Sequence, residues 1–125
     1  AFSAKTLAPG DSPRAGWERI DTLPFDAAHR YMATLVRRGA ERRLLVKGAP
    51  ERVLAMCTRE RAGAGDRPLA AAAWHERVDA LAAGGARVLA LAEGEVTDDA
   101  GPIERLAADG GLVLLALVGL VDPPR

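Results

Sequence analysis

Apolar positions recur along this chain in short blocks, and the spacing inside each block predicts its element. Ile20, Leu23 and Phe25 mark a first extended segment. Pro24 confines it to a sheet edge or a strand end, because proline cannot donate a ladder hydrogen bond. Tyr31 to Arg37 is rich in β-branched and aromatic residues, Gly39 breaks the pattern, and Arg42 to Lys47 resumes it. The pair predicts a β-hairpin. Gly48 ends the second strand, and Pro50 opens a helix at the position where a missing N–H is no loss. Glu51 falls in the first turn, where the helix dipole favours an anion. Val53, Leu54 and Cys57 share the side expected to face the core.

Further along, Arg61 to Arg67 reads as a glycine-containing loop. Asp66 or Pro68 then opens a second helix that runs through Leu81 and closes at Gly84-Gly85. Trp74, Val78 and Leu81 fall at i, i+4 and i+7, which predicts a buried stripe. Arg87 to Ala92 is the next strand, broken by Gly94, and Ile103 to Ala108 is a short helix. Leu112 to Val121 is apolar over ten residues, on both alternating faces, as expected of a strand buried in a domain. It is too short for a membrane helix, which needs about 20 residues. The first residues carry Pro9, Gly10, Asp11, Ser12 and Pro13 with no periodicity, so residues 1–16 are expected to be a flexible N-terminal segment. Order is expected from Trp17 to Val121. The succession predicts an α+β domain, a twisted, mostly antiparallel β-sheet flanked by helices, with no internal repeat.

Composition narrows the function classes. The 125 residues suit one compact domain, and 17 basic side chains balance 17 acidic ones. That balance points away from a nucleic-acid groove. Fifteen arginines stand against two lysines, Lys5 and Lys47, so a lysine says more here than an arginine does. Cys57 is the only cysteine, which rules out an internal disulfide and fits a reducing compartment. His29 and His75 lack a second ligand at metal spacing. Ala1 to Arg14 lacks the long apolar stretch of a signal peptide, so none is expected there, and the piece itself is not expected to be membrane-inserted.

Common phosphate signatures are missing. There is no G-x-x-x-x-G-K-[ST] loop, and Gly63-Ala64-Gly65 lacks the third glycine and the strand-to-helix setting of a dinucleotide fingerprint. Three other segments carry more. They are Pro24-Phe25-Asp26-Ala27-Ala28-His29-Arg30-Tyr31-Met32, then Lys47-Gly48-Ala49-Pro50-Glu51, then Gly119-Leu120-Val121-Asp122-Pro123-Pro124-Arg125. In this order and spacing they resemble the nucleotide-binding domain of P-type cation-transporting ATPases, in the calcium, magnesium and sodium branch. The resemblance covers Trp17 to Arg125.

It implies an ATP site whose roles fall on numbered positions. Phe25 matches the aromatic that stacks on adenine, a contact worth about 1–3 kcal/mol; the residue alone, without its motif, reads as a core phenylalanine beside Pro24. Arg30 matches a basic residue near the phosphates, or is a solvated surface arginine. Met32, placed on Arg30's strand face by the period-two rule, either pads the nucleotide or fills core. Lys47 matches the pocket lysine, with Gly48 beside it; its plain reading is a strand-end lysine facing water. Arg87 and Leu89 share one face, so one can meet phosphate while the other packs on ribose or base. They also read as an edge charge and a core leucine. Asp26, Asp98 and Asp99 read as turn or surface acids.

The resemblance further implies partners. ATP would arrive with Mg2+ held through its phosphates. Phosphorylation and actuator domains of the same polypeptide would complete the pump, at the cytoplasmic face of the cell membrane. Residues 122–125 would begin the hinge to the phosphorylation domain, since two prolines fix an extended backbone. The phosphorylated DKTGT aspartate is not in this sequence, nor are the family's later magnesium-binding aspartates. The resemblance also implies an N-terminal helix with an acidic residue near adenine, which is expected to lie outside this sequence. The isolated piece is therefore expected to bind ATP without hydrolysing it. Two rivals are a non-catalytic adaptor of the same fold and a small stand-alone hydrolase; the latter lacks a visible nucleophile, base or metal cluster.

Overall fold

Alternating burial along two neighbouring segments sets the centre of the sheet. In the computed structural model, which describes residues 16–96 and 102–121, β2 (Tyr31–Arg38) and β3 (Glu41–Gly48) form the predicted hairpin. Their register runs from Tyr31 opposite Gly48 to Arg38 opposite Glu41. β1 (Glu18–Leu23) pairs with β2 and forms one edge. On the other side β6 (Arg87–Glu95) pairs with β3, and β7 (Leu112–Leu120) pairs with β6, all antiparallel. β4 (Cys57–Ala62) joins β7 in parallel, and β5 (Gly65–Pro68) completes the order β1-β2-β3-β6-β7-β4-β5. With α1 (Pro50–Met56), α2 (Ala71–Ala83) and α3 (Ile103–Asp109), this is the expected α+β fold around a mostly antiparallel sheet.

One face of the sheet holds the core. Tyr31, Ala33 and Leu35 on β2, Leu44 and Val46 on β3, Ala90 and Ala92 on β6, and Leu112 and Leu114 on β7 form a single cluster with α1 and α3. Val53 and Leu54 come from α1, and Ile103, Leu106 and Ala107 from α3. Trp74 and Val78 of α2 pack on the same cluster, so all three helices cover this one face. Leu44, Leu114, Val46 and Val53 are fully enclosed, each contributing about 1.5–3 kcal/mol by leaving water. Successive side chains point to opposite faces, so Met32, Thr34, Leu45, Lys47, Leu89 and Leu91 lie on the reverse side. Among the described residues, no helix covers that side.

Several expectations need correction. Arg61 to Arg67 is not a loop: β4 and β5 form a hairpin around Gly63 and Ala64, with Glu60 opposite Arg67 and Arg61 opposite Asp66. Both cross-strand pairs are salt bridges. Charge pairing therefore replaces the apolar alternation by which strands are recognised. Because Asp66 to Pro68 belongs to β5, the second helix starts only at Ala71. Its stripe is also incomplete, since Leu81 is exposed while Trp74 and Val78 are partly buried. Cys57 opens β4 rather than extending the α1 face, though it is buried as expected. Gly94 does not break β6, which continues to Glu95. The Leu112 side chain fills the space where a Cβ at Gly94 would stand. Finally, Leu112 to Val121 is not buried throughout, because Val121 is 71% exposed. β4 accompanies β7 only as far as Leu114, so among the described residues the second half of β7 has a strand neighbour on one side alone. The expected N-terminal segment, apart from Gly16, lies outside the described residues. So do Asp98, Asp99 and the 122–125 hinge.

Candidate functional site

Strand register gathers the candidate residues at one end of the sheet. Tyr31 opens β2, Gly48 closes β3, and Ala90 lies beside them near the start of β6. The segment carrying Phe25 and Arg30 runs into Tyr31 at this end, and Arg87 and Leu89 lie just beyond Ala90. On the reverse face Met32 stands opposite Lys47, and Lys47 opposite Leu91. Directly opposed side chains have Cβ atoms roughly 5 Å apart, and diagonal ones roughly 7–8 Å. Lys47 therefore sits between Met32 and Leu91, with Leu89 on the diagonal. Arg87, four residues from Leu91, is roughly 13 Å further along the strand. The structure brings Met32, Lys47 and Leu89 together and sets Arg87 at the margin. Leu91, a buried neighbour of Lys47, was missed in the sequence because only register could reveal it.

The environment of each side chain sharpens its reading. Phe25 is 59% exposed and outside the core. Met32 and Leu89 are half-buried, as is Lys47, and Arg87 is exposed. Neither Lys47 nor Arg87 makes an ion pair among the described residues. By contrast Arg43 bonds Glu41 and Glu93, and Arg61 bonds Glu93 and Asp66 at the far end of the same face.

The junction between β3 and α1 explains the Lys47-Gly48-Ala49-Pro50-Glu51 string. A Cβ at Gly48 would lie 2.5 Å from the Tyr31 Cα and 2.6 Å from the Arg30 carbonyl oxygen. Only glycine permits that approach, so Gly48 locks the two strands and lies on the helix-covered face. Ala49 donates its N–H to the Arg30 carbonyl at 2.9 Å. Pro50 starts α1, and Glu51 pairs with Arg30 at 2.7 Å. Arg52 donates to the His29 carbonyl at 3.2 Å.

Arg30 itself is corrected. It precedes β2 and has φ 63, so it does not share a strand face with Met32. Asp26 builds the turn that places it there. The Asp26 carboxylate accepts the His29 N–H at 2.6 Å and faces the His29 Nδ1 at 2.7 Å. The Arg30 N–H reaches the Asp26 carbonyl at 2.8 Å. The donated His29 N–H, followed by the ring contact, holds the Asp26 carboxyl below its ordinary range. Asp26 is thus a turn acid, as expected, and it shapes the segment between Phe25 and Arg30.

A second polar centre lies away from this end. Glu60 is 2% exposed and accepts four hydrogen bonds. They come from the Ala70 N–H at 2.8 Å, the Trp74 indole at 2.9 Å, and Arg67 through Nε at 3.1 Å and Nη2 at 3.0 Å. The Ala70 and Trp74 bonds, followed by Arg67, outweigh burial and pull its pKa down to about 2. Every lone-pair direction is used, which marks a clasp joining β4 and β5 to the start of α2. Burial alone pushes the Cys57 thiol up to about 12, so it is inert as a nucleophile.

Among the described residues no group of three or more His, Cys, Asp or Glu side chains is arranged to hold a metal ion. No helix among them is long and apolar enough to cross a membrane. Residues 2–125 match the family described as P-type ATPase, cytoplasmic domain N. The chain is 35% identical over 108 residues to the probable cation-transporting ATPase F of Mycobacterium bovis, covering 86% of this chain and 12% of that protein. It is 32% identical over 127 residues to the magnesium-transporting ATPase, P-type 1, of Escherichia coli, covering 98% of this chain and 13% of that one. To the sodium/potassium exporting P-type ATPase cta3 of Schizosaccharomyces pombe it is 37% identical over 113 residues, covering 85% of this chain and 10% of the relative.

Proposed function

The chain belongs to the family of P-type ATPase cytoplasmic N domains, and on that premise we propose that residues 17–121 bind ATP for a cation-transporting pump. The observation that carries the reading is Lys47. It is a half-buried cation with no ion pair among the described residues, set between Met32 and Leu91 on the helix-free face. A cation bordered by apolar side chains, at the end of the sheet that also exposes Phe25, suits a ligand with a flat ring and an anionic tail.

In this reading Phe25 stacks on adenine, and Met32 and Leu89 pack against the nucleoside. Lys47 meets the phosphates with Arg30 beside them, and Arg87 stands at the margin of the site as a further cation. Gly48 contributes by letting β3 end against Tyr31. Mg2+ travels on the phosphates. Charged side chains that position a polyphosphate supply orientation rather than bond-making. The γ-phosphate is presented to an aspartate on the phosphorylation domain of the same polypeptide, at the cytoplasmic face of the cell membrane, with the actuator domain completing the cycle. Residues 122–125 start the hinge from this domain to the phosphorylation domain. The relatives' names point to cation transport by the parent. The chain by itself binds ATP and does not turn it over.

Two measurements on the chain test this. Calorimetric titration should show weak ATP binding, and a phosphate-release assay should show none above buffer. Sustained Mg2+-dependent turnover, abolished by one substitution inside this chain, would make it a hydrolase. No heat with any adenine nucleotide would make it an adaptor.

A further inference from the structure

The Arg30 backbone and the Arg30 side chain are held in different ways. Its N–H is bonded to Asp26, its carbonyl accepts the Ala49 N–H, and the adjoining His29 carbonyl accepts from Arg52. Gly48 packs against the same peptide with no room for a Cβ. The backbone is fixed from three directions. The guanidinium pairs with Glu51 at 2.7 Å, and the two side chains are 53% and 52% exposed. An exposed pair of this kind contributes little to stability. The side chain can therefore change partner while its anchor stays still.

We propose that Glu51 is a positioning residue that tunes nucleotide affinity by competing with the phosphates for Arg30. The inference rests on the reading that ATP phosphates reach Arg30. Without nucleotide, Glu51 neutralises the guanidinium and adds an anion four residues from Lys47. As ATP binds, the phosphates displace the carboxylate, and each added phosphate is repelled by the charge it displaces. Glu51 thus lowers affinity in proportion to phosphate number and eases release of the nucleotide. No bond is made or broken; one ion pair is exchanged for another. A Glu51 that served only to favour the first turn of α1 would act oppositely, since its loss would cost stability and gain no affinity.

The test is calorimetric titration of ATP, ADP and AMP into the wild type, Glu51→Gln, Arg30→Ala and the double variant, at low and high salt. Glu51→Gln should tighten ATP about threefold to fivefold, the reach of one exposed pair. ADP should gain less and AMP least. The gain should shrink at high salt and fall by more than half in the Arg30→Ala background. Unchanged or weaker ATP binding by Glu51→Gln overturns the proposal alone, as does an equal gain without Arg30. A wild type that binds no ATP overturns both this proposal and the reading beneath it.

Discussion

Two charged centres in this molecule differ in how completely their charges are answered. Glu60, between β4, β5 and α2, is buried and accepts four hydrogen bonds. At the other end, Lys47 has no ion pair among the described residues, Phe25 is exposed, and Arg30 is held by a single half-exposed carboxylate. A saturated buried charge gives rigidity and has no capacity left for a ligand. A partly shielded cation beside apolar surface keeps that capacity. The contrast separates a charge already satisfied by the fold from one left available to a ligand, and it can be broken by substitution.

The largest effect on stability should come from the clasp. Glu60→Ala leaves the Trp74 indole and the Ala70 N–H without their acceptor, so it should lower the melting temperature more than any other change named here. ATP affinity of the folded protein should stay the same. The pH dependence follows from the same bonds. The folded pKa of Glu60, about 2, is depressed below its ordinary 4.5. Its contribution is therefore present above pH 4.5 and lost as pH falls toward 2. Thermal melts should show a weaker fall across this window in Glu60→Gln than in the wild type.

Next in size is Gly48→Ala. Its Cβ would strike the Tyr31 backbone, and forcing the strands apart should cost about 1–3 kcal/mol. Unlike Glu60→Ala, it should also weaken ATP, because it shifts Lys47 against Met32. Chemical denaturation and titration on one sample distinguish the two patterns. Phe25→Ala should leave the melt unchanged and weaken ATP, ADP and AMP alike by about 1–3 kcal/mol. Arg37→Ala, which removes an exposed pair with Glu18, should change stability by at most about 1 kcal/mol and leave binding untouched.

Much of this was legible in the sequence, unevenly. The β2–β3 hairpin, the Pro50 helix start and the fold class follow from alternation, turn residues and one proline. The β4–β5 hairpin did not, because Glu60, Arg61, Asp66 and Arg67 pair by charge and leave no apolar period to read. Leu112 to Val121 misled for the opposite reason: composition predicts burial, but neighbours decide it, and β4 stops at Leu114. At the site, Phe25 and Lys47 come from the family resemblance of the strings that hold them. The Met32–Lys47–Leu91 row, the φ of Arg30 and its pairing with Glu51 depend on register and turn geometry, which spacing along the chain does not encode. Gly48 enters the sequence reading only as part of the Lys47 to Glu51 string; its role as a close-approach residue appears only when Tyr31 is seen against it.

The most direct test of the unanswered charge is Lys47→Ala, with calorimetric titration of ATP and AMP into wild type and variant. Loss of one charge-assisted contact of about 1.5–3 kcal/mol should weaken ATP roughly tenfold to a hundredfold. AMP should change far less and the melting temperature not at all. Equal weakening of ATP and AMP, or no change in either, would contradict the assignment of Lys47 to the phosphates.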